Sequence, residues 1–452
     1  MYTKKLCMKA IAALLSAIAI HQTSTAQLTV AAQLRTRTEL RDGQGAPLPE
    51  NAPAALFTSQ RTRLGLLYNT YRIKLGLTIQ DARVWGQDVS TINKTTTADN
   101  NGLMLHEAWA EILLTDTTLK DQSLSFKVGR QELVYDDQRL IGNLDWLQQA
   151  RRHDAGVLKY ERNKWMLHAG VAFNQNKENA SGTVYNPVPP GNYTASTNGG
   201  AMYKSFEFLY AGRKLQKGNA SFLLFSDQFS KYHTDSSTKV YQAGTWSRLT
   251  TGFYFNNQYG KIGTTASAYY QFGKNSNGQQ LSAGLLSGFV QYYFTKSFST
   301  GAGVDYTTGG SNGTTSNAFD PLYGTPHKFW GLMDYFYAAS PFGKGGLTDY
   351  YIKTKFKPSD KYWLTADVHQ FSSAASVIVP GTPDNKKKSF GQEIDITGTY
   401  NVTKQISIEG GYSHFFSTTL LTSPNVKNVP NAKAGANWAY VMINIKPEFI
   451  FK

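Results

Sequence analysis

From Leu28 to Leu40 two kinds of side chain alternate without a break. Leu28, Val30, Ala32, Leu34, Thr36, Thr38 and Leu40 fall on one face, and Thr29, Ala31, Gln33, Arg35, Arg37 and Glu39 on the other. A period of two belongs to an extended strand, whose successive side chains point to opposite faces. The run is long enough to cross a bilayer, which takes about 9–11 strand residues, and a soluble sandwich strand is commonly shorter, about 5–6. The pattern recurs. Tyr71, Ile73, Leu75, Leu77 and Ile79 oppose Arg72, Lys74, Gly76, Thr78 and Gln80. Phe298, Thr300, Ala302, Val304 and Tyr306 oppose Ser299, Gly301, Gly303 and Asp305. Trp165–Phe173 and Tyr350–Phe356 repeat it. Gly, Ser and Thr on the polar face leave room for a lumen, where a soluble core would be filled.

The beginning of the chain points to export. Lys4, Lys5 and Lys9 precede an apolar run from Ala10 to Ile20, and Ser24-Thr25-Ala26 follows as a small-residue cleavage site. Residues 1–26 read as a signal peptide, leaving 27–452 as one domain; the alternative is a short buried helix. Cys7, the single cysteine, precedes the apolar run, so it suits neither a lipid anchor nor, after cleavage, a thiol site. No later segment approaches the eighteen apolar residues of a spanning helix. Mean hydropathy is −0.38 despite 27 Tyr and 25 Phe. A membrane barrel has this balance, because half of each strand faces water. The net charge of +15 suggests anionic partners: acidic lipid and lipopolysaccharide headgroups, or anionic solutes. Export argues against nucleic acid.

Short and long connections alternate, as the turns and outer loops of a barrel do. Short links fall near 69–70, 115–123, 163, 215–216, 257, 296, 359–360 and 402–404. Long ones fall near 42–56, 86–103, 135–153, 175–203, 230–245, 273–283, 308–346, 372–389 and 417–436. The expected fold is all-β: a transmembrane antiparallel barrel of about eighteen strands, monomeric, with both ends periplasmic. The links 135–153 and 308–346 carry Tyr135, Leu140, Ile141, Leu144, Trp146, Phe319, Trp330 and Met333. These are too apolar for free surface loops, so both links are expected to fold inward; the alternative is a strand pair over 329–337. The last strand is expected over about Asn437–Phe449, with pairing stopping at Pro447, which lacks a donor. The closing aromatics Phe449 and Phe451 suit recognition by the outer-membrane assembly machinery.

Two segments go beyond periodicity. One is Val128-Gly129-Arg130-Gln131-Glu132-Leu133, continuing to Asp137-Gln138-Arg139-Leu140-Ile141-Gly142, Asp145-Trp146 and Arg151–Gly156. The other is Phe319-Asp320-Pro321-Leu322-Tyr323-Gly324, His327-Lys328-Phe329 and Met333-Asp334. Both resemble signature segments of the alginate-export family of outer-membrane porins. The resemblance implies an eighteen-stranded barrel and a narrow conduit, lined by Arg and Lys, for an acidic polysaccharide.

Alternation names the charges that would face the lumen: Arg35, Arg37, Glu39 and Arg41, then Arg61 and Arg63, Arg72 and Lys74, Glu107 and Glu111, Lys127, Lys353 and Lys355. Arg130, Arg139, Arg151 and Arg152 join them through the first signature segment. Arginine's planar fork binds carboxylate bidentately while staying charged, and a basic constriction concentrates anions and hands them on. Each of these residues has a plainer reading, as an Arg or Lys paired with an acid across the wall. Asp136, Asp137, Asp145 and Asp154 are candidates to latch an inward loop to those arginines; a Ca²⁺ site there lacks a calcium-loop signature. No catalytic motif, cofactor fingerprint or zinc spacing occurs, and His106-Glu107 has no second His in place. The expectation is a channel and no enzyme, with a closed barrel binding partners through its long loops as the alternative.

Overall fold

The computed structural model describes residues 26–86, 103–174, 178, 180–182, 202–336, 345–379 and 386–451. The expected signal peptide up to Thr25, most of the links 86–103 and 175–203, and Lys452 lie outside the described residues.

The strands run β1 Gln27–Asp42, β2 Ala55–Asn69, β3 Ile73–Val84, β4 Met104–Leu113, β5 Gln122–Gln131, β6 His153–Arg162 and β7 Trp165–Phe173. They continue with β8 Ser205–Lys214, β9 Asn219–Asp235, β10 Thr238–Tyr259, β11 Ile262–Lys274, β12 Gln280–Tyr293 and β13 Phe298–Thr307. Two tiny strands, β14 Ser311–Asn312 and β15 Thr315–Ser316, pair within a loop. The wall resumes with β16 Leu347–Phe356, β17 Tyr362–Ile378, β18 Lys386–Asn401, β19 Ile406–Ser417 and β20 Gly435–Ile445, and β21 Glu448–Phe451 extends β20. Each wall strand pairs antiparallel with its chain neighbour, and β1 closes the ring against β20 and β21, giving an eighteen-stranded antiparallel barrel. Closure gives every wall strand a partner on both sides, the condition for β-structure in lipid.

The alternation of β1 becomes the two faces of the wall. Gln33, Arg35, Arg37 and Glu39 are buried on the lumen side, and Leu28, Leu34 and Leu40 are exposed outward. Leu66, Leu75, Leu77, Val128, Leu286, Ile352, Val368, Ile396 and Val441 extend this apolar belt. Tyr68, Tyr71, Trp165, Tyr259, Phe298, Tyr362 and Tyr400 are exposed at the short-turn end, where aromatic rings suit a membrane interface.

Two connections differ from expectation, and the inward course of the second long link does not. The link near 230–245 is mostly strand: β9 and β10 continue into a hairpin turned by Ser236 and Ser237, both at positive φ (45° and 74°), as a two-residue hairpin turn requires. Pairing does not stop at Pro447. Its carbonyl accepts from Ala32 N at 3.0 Å, and β21 resumes the ladder against Leu28–Ala31. Among the described residues of 329–337 there is no strand pair; they form turns packed inside the barrel.

Candidate solute path

Two long links enter the barrel. The first, 132–152, leaves β5 and returns to β6. The second, described over 308–336 and 345–346, leaves β13 and returns to β16. They meet through a parallel bridge between Ile141 and Tyr323. Gly142 N donates to Tyr323 O (2.9 Å), Tyr323 N to Leu140 O (2.9 Å) and Thr325 N to Gln138 O (2.8 Å). Arg151, fully buried, donates from the first loop to the carbonyl of Gly324 in the second. The two links thus form one brace, with backbone hydrogen bonds satisfied away from water.

The wall holds the brace at separate points. Asp136 accepts from Tyr210 Oη (2.9 Å), Ser221 Oγ (2.7 Å) and Asn219 Nδ2 (3.1 Å) on β8 and β9. Arg248 of β10 makes a two-point pair with Asp227 and reaches Asp320 of the second loop at 2.9 Å. Glu393 and Asp395 of β18 accept from the backbone N–H groups of Met333 (2.7 Å) and Leu332 (3.3 Å).

The opposite wall carries the arginines. Arg35 Nε donates to Gln148 Oε1 (3.0 Å), and its Nη atoms donate to the carbonyls of Asp145 (2.8 Å), Trp146 (3.3 Å) and Leu147 (3.2 Å). Arg37 donates to Glu39 Oε1 (2.8 Å) and Trp146 O (2.7 Å), and its guanidinium lies 4.1 Å over the Trp146 ring. Arg61 donates to Gln33 Oε1 (2.9 Å) and to the Asp145 carboxylate (2.7 Å). Arg63 is oriented by Gln80 Oε1 (2.6 Å) and His106 Nε2 (2.9 Å), with Glu132 and Asp145 each 3.7 Å away. β1 and β2 are neighbours in register, Arg35 opposite Arg61, which is why these side chains converge. Burial pushes the Asp145 carboxyl up, but Arg61, Arg35 and Arg63 outweigh it and hold it down at about 2.

The other expected lumen charges spread along the path. Arg72 sits in the turn before β3, its guanidinium 5.6 Å over the Tyr71 ring, and Lys74 stands opposite Glu111 in register. Glu111 accepts from Ser125 Oγ (2.8 Å) and Lys159 (3.2 Å), and Glu107 from Trp109 Nε1 (3.2 Å). Lys127 lies 3.8 Å over the Trp109 ring. Lys353 pairs with Asp367 (3.1 Å), and Lys355 lies 5.7 Å from the Trp363 ring. Arg139 and Arg151 are parts of the brace, and Arg152 is half-buried beside Arg130 and Asp154. Arg130 departs from expectation. On β5 the inward positions are Ser125, Lys127, Gly129 and Gln131, so Arg130 faces outward. There it makes a two-point pair with Asp154 of β6 (2.8 Å each).

The four candidate aspartates separate accordingly. Asp145 joins the arginines, Asp137 lies by Arg139 (3.6 Å), Asp136 is held by hydroxyls, and Asp154 is outside. No cluster able to hold a metal ion occurs among the described residues. Several ionisable groups escaped the sequence reading: Asp227, Arg248, Glu393 and Asp395, which hold the brace, and Lys159, His106 and Glu132. Lys159 could have been found by alternation along β6. His106 is turned inward by a register shift in β4, and Glu132 lies just past the end of β5. Two Asp–His pairs occur: His369 with Asp349 at 2.9 Å, on inward positions of β17 and β16 and buried beneath the second loop, and His327 with Asp334 at 2.7 Å within that loop.

On the outer side of the arginines a cavity of about 320 Å³ is lined by Arg41, Gln44, Gly45, Trp146, Leu147, Asp334 and Lys427. Lys427 donates to the carbonyls of Gly45 (2.9 Å) and Tyr335 (2.5 Å). Burial pushes its ammonium down to about 8, against the pull of Asp334.

The alginate export family profile matches residues 26–423. Comparison with curated proteins finds no match. Solved structures share the fold at low identity. OccAB4 of Acinetobacter baumannii is 12% identical, with a TM-score of 0.58 over 93% of this chain and 98% of that one. OpdK of Pseudomonas aeruginosa, solved with vanillate, is 9% identical, with a TM-score of 0.59 over 93% and 99%. A BenF-like porin of Pseudomonas fluorescens is 11% identical, with a TM-score of 0.59 over 94% and 99%. The profile match spans nearly the whole barrel, and on that ground the chain belongs to the alginate export family, a porin-type transport channel of the bacterial outer membrane.

Proposed function

We propose that this porin passes anionic solutes, with a carboxylate-bearing polysaccharide such as alginate as the favoured class. One observation carries the reading: Arg35, Arg61 and Arg63, on adjacent strands, all turn to one point of the lumen and surround a carboxylate there. An array that gathers one carboxylate in a low-dielectric constriction concentrates others. Glu107, Glu111 and Glu132 interrupt the cations, so an anion is drawn in without being held at every step. The closed-barrel alternative has its own support, since the brace occupies the middle of the lumen. Reconstitution in a planar bilayer separates the two. The reversal potential in a salt gradient should report anion selectivity, and oligouronate should block the current. Lys74→Ala with Lys127→Ala should weaken both effects. A correctly folded barrel with no conductance would leave the binding reading standing alone.

A further inference from the structure

Every short turn of the barrel carries a lysine or an arginine, and on the outer face these residues gather at one place. Arg162 and Lys164 flank the turn from β6 to β7, and Arg213, Lys214 and Lys217 the turn from β8 to β9. Lys214 N donates to Lys164 O at 2.8 Å, which joins the two turns. Register sets Arg162 opposite Trp165 and Trp165 opposite Arg213, one row across β6, β7 and β8. The row faces lipid, because it shares strand parity with Leu158, Leu167 and Leu209, all exposed on the outer face. Trp165 is itself 49% exposed, and the Arg213 guanidinium lies 5.1 Å over its ring. We propose that this patch binds an anionic phospholipid of the inner leaflet, and that cardiolipin, with its two phosphates, is the lipid it fits best.

The charge of the patch is uncompensated by protein. Among the described residues none of its lysines and arginines forms an ion pair. Glu161 turns inward to His168 (3.7 Å), and Asp121 meets the turn only through its backbone carbonyl, which accepts from Asn163 N at 2.8 Å. Elsewhere such cations are matched: Arg130 on the outer face pairs with Asp154, and Lys357 in the turn after β16 with Asp360. A guanidinium at the lipid boundary without a protein anion takes its partner from the headgroups, and its planar fork fits phosphate oxygens. Trp165 fixes the depth, since tryptophan settles at headgroup level and the cations beside it then stand among the phosphates. Toward the bilayer centre Leu158, Leu167 and Leu209 offer apolar surface to acyl chains. Arg162 and Arg213 are two strands apart, about 10 Å, a span that two phosphates joined through one glycerol can bridge. Short turns are periplasmic in outer-membrane barrels, so the patch meets the leaflet built of phospholipid. Basic clusters at the ends of spanning segments recognise anionic headgroups in the same way.

Native mass spectrometry of the full barrel in detergent, titrated with cardiolipin, phosphatidylglycerol or phosphatidylethanolamine, reads the site directly. Cardiolipin should bind most tightly, phosphatidylglycerol less so and zwitterionic phosphatidylethanolamine least. Arg162→Gln with Arg213→Gln should weaken cardiolipin binding roughly tenfold, through the loss of two basic residues near the headgroups. Lys261→Gln with Lys296→Gln removes the same charge from two other short turns and should leave binding unchanged. A second arm covers poor folding of the arginine variant. Cardiolipin with brominated acyl chains should quench part of the tryptophan emission, and Trp165→Phe, which keeps every charge, should remove that part. Excess inorganic phosphate should not displace the lipid. No preference for cardiolipin over phosphatidylethanolamine, or quenching that survives Trp165→Phe, would overturn the proposal. So would an equal loss in the lysine control, which would reduce the effect to overall charge. Displacement by inorganic phosphate would reassign the patch to soluble anions and overturn it too.

Discussion

Arg139 donates to Asp305 at 2.5 Å, joining the first inward loop to strand β13 across 166 positions of sequence. Asp305 is buried and also accepts from Ser287 Oγ at 2.6 Å, while the Arg139 guanidinium lies 4.0 Å over the Phe329 ring. One ion pair therefore ties together the wall and both inward loops. Arg139→Ala leaves the carboxylate uncompensated in a dry site, which costs about 3–5 kcal/mol. The temperature at which the folded barrel loses its compact electrophoretic mobility should drop clearly. Pairing that change with Asp305→Asn should recover part of the loss.

Lys127 and Arg130 are three positions apart on β5 and face opposite ways. Lys127→Ala should shift the reversal potential toward cations. Arg130→Ala, which removes the outward pair with Asp154, should leave it unchanged. Its effect on stability should also be small, since exposed ion pairs contribute about 0–1 kcal/mol. An Arg130→Ala barrel with altered selectivity would contradict the outward placement.

Lys427 gives the outer cavity a pH response. Its ammonium titrates near 8, against about 10.4 for a free lysine. Between those values the unfolded chain binds more protons than the folded one, so this residue's contribution to stability rises with pH across that window. Anion attraction moves the other way, because the charge fades as pH rises through 8. Arg41 and Asp334 line the same cavity and Asp145 is on the adjoining tip, but the fading charge is that of Lys427. Oligouronate block should therefore be weaker at pH 9 than at pH 7. Lys427→Met should show the weak block at both values.

A Cβ placed on Gly76 would come within 2.3 Å of the Trp109 ring, the surface on which Lys127 rests. Gly76→Ala should force that ring aside at about 1–3 kcal/mol. Displacing the ring should also change the tryptophan emission and lower the single-channel current. Gly288→Ala, where the added atom meets nothing within 4 Å, should do neither.

Much of the barrel was legible because its rule is local. Parity along β1 placed Arg35, Arg37 and Glu39 on the lumen face from neighbours two residues away, and the same rule holds for Lys74, Lys127 and Lys353. Arg130 was drawn in through its signature segment, although parity with Lys127 already turned it outward. Strand ends were less readable. The Ser236-Ser237 turn carries no Gly or Asn, so the polar stretch around it read as loop. The inward course of the two links could be read from their apolar residues, but not what they would touch. The contacts of Arg61 with Asp145 and of Arg139 with Asp305 depend on where the wall curves back on itself. No local pattern encodes that distance.

The Trp146 ring lies beneath Arg37 of β1 and packs edge-on against Trp438 and Tyr440 of β20, with ring centroids 5.8 and 5.2 Å away. Those two strands are the first and last of the wall, and their junction closes the ring. A chain searching for that junction must bring its two termini together, the slowest kind of contact to find by chance. Trp146, far in sequence from the last strand, touches both sides of that junction and joins them. In the folded barrel the loop between β5 and β6 thus buttresses the closing seam from inside, on both of the strands that form it.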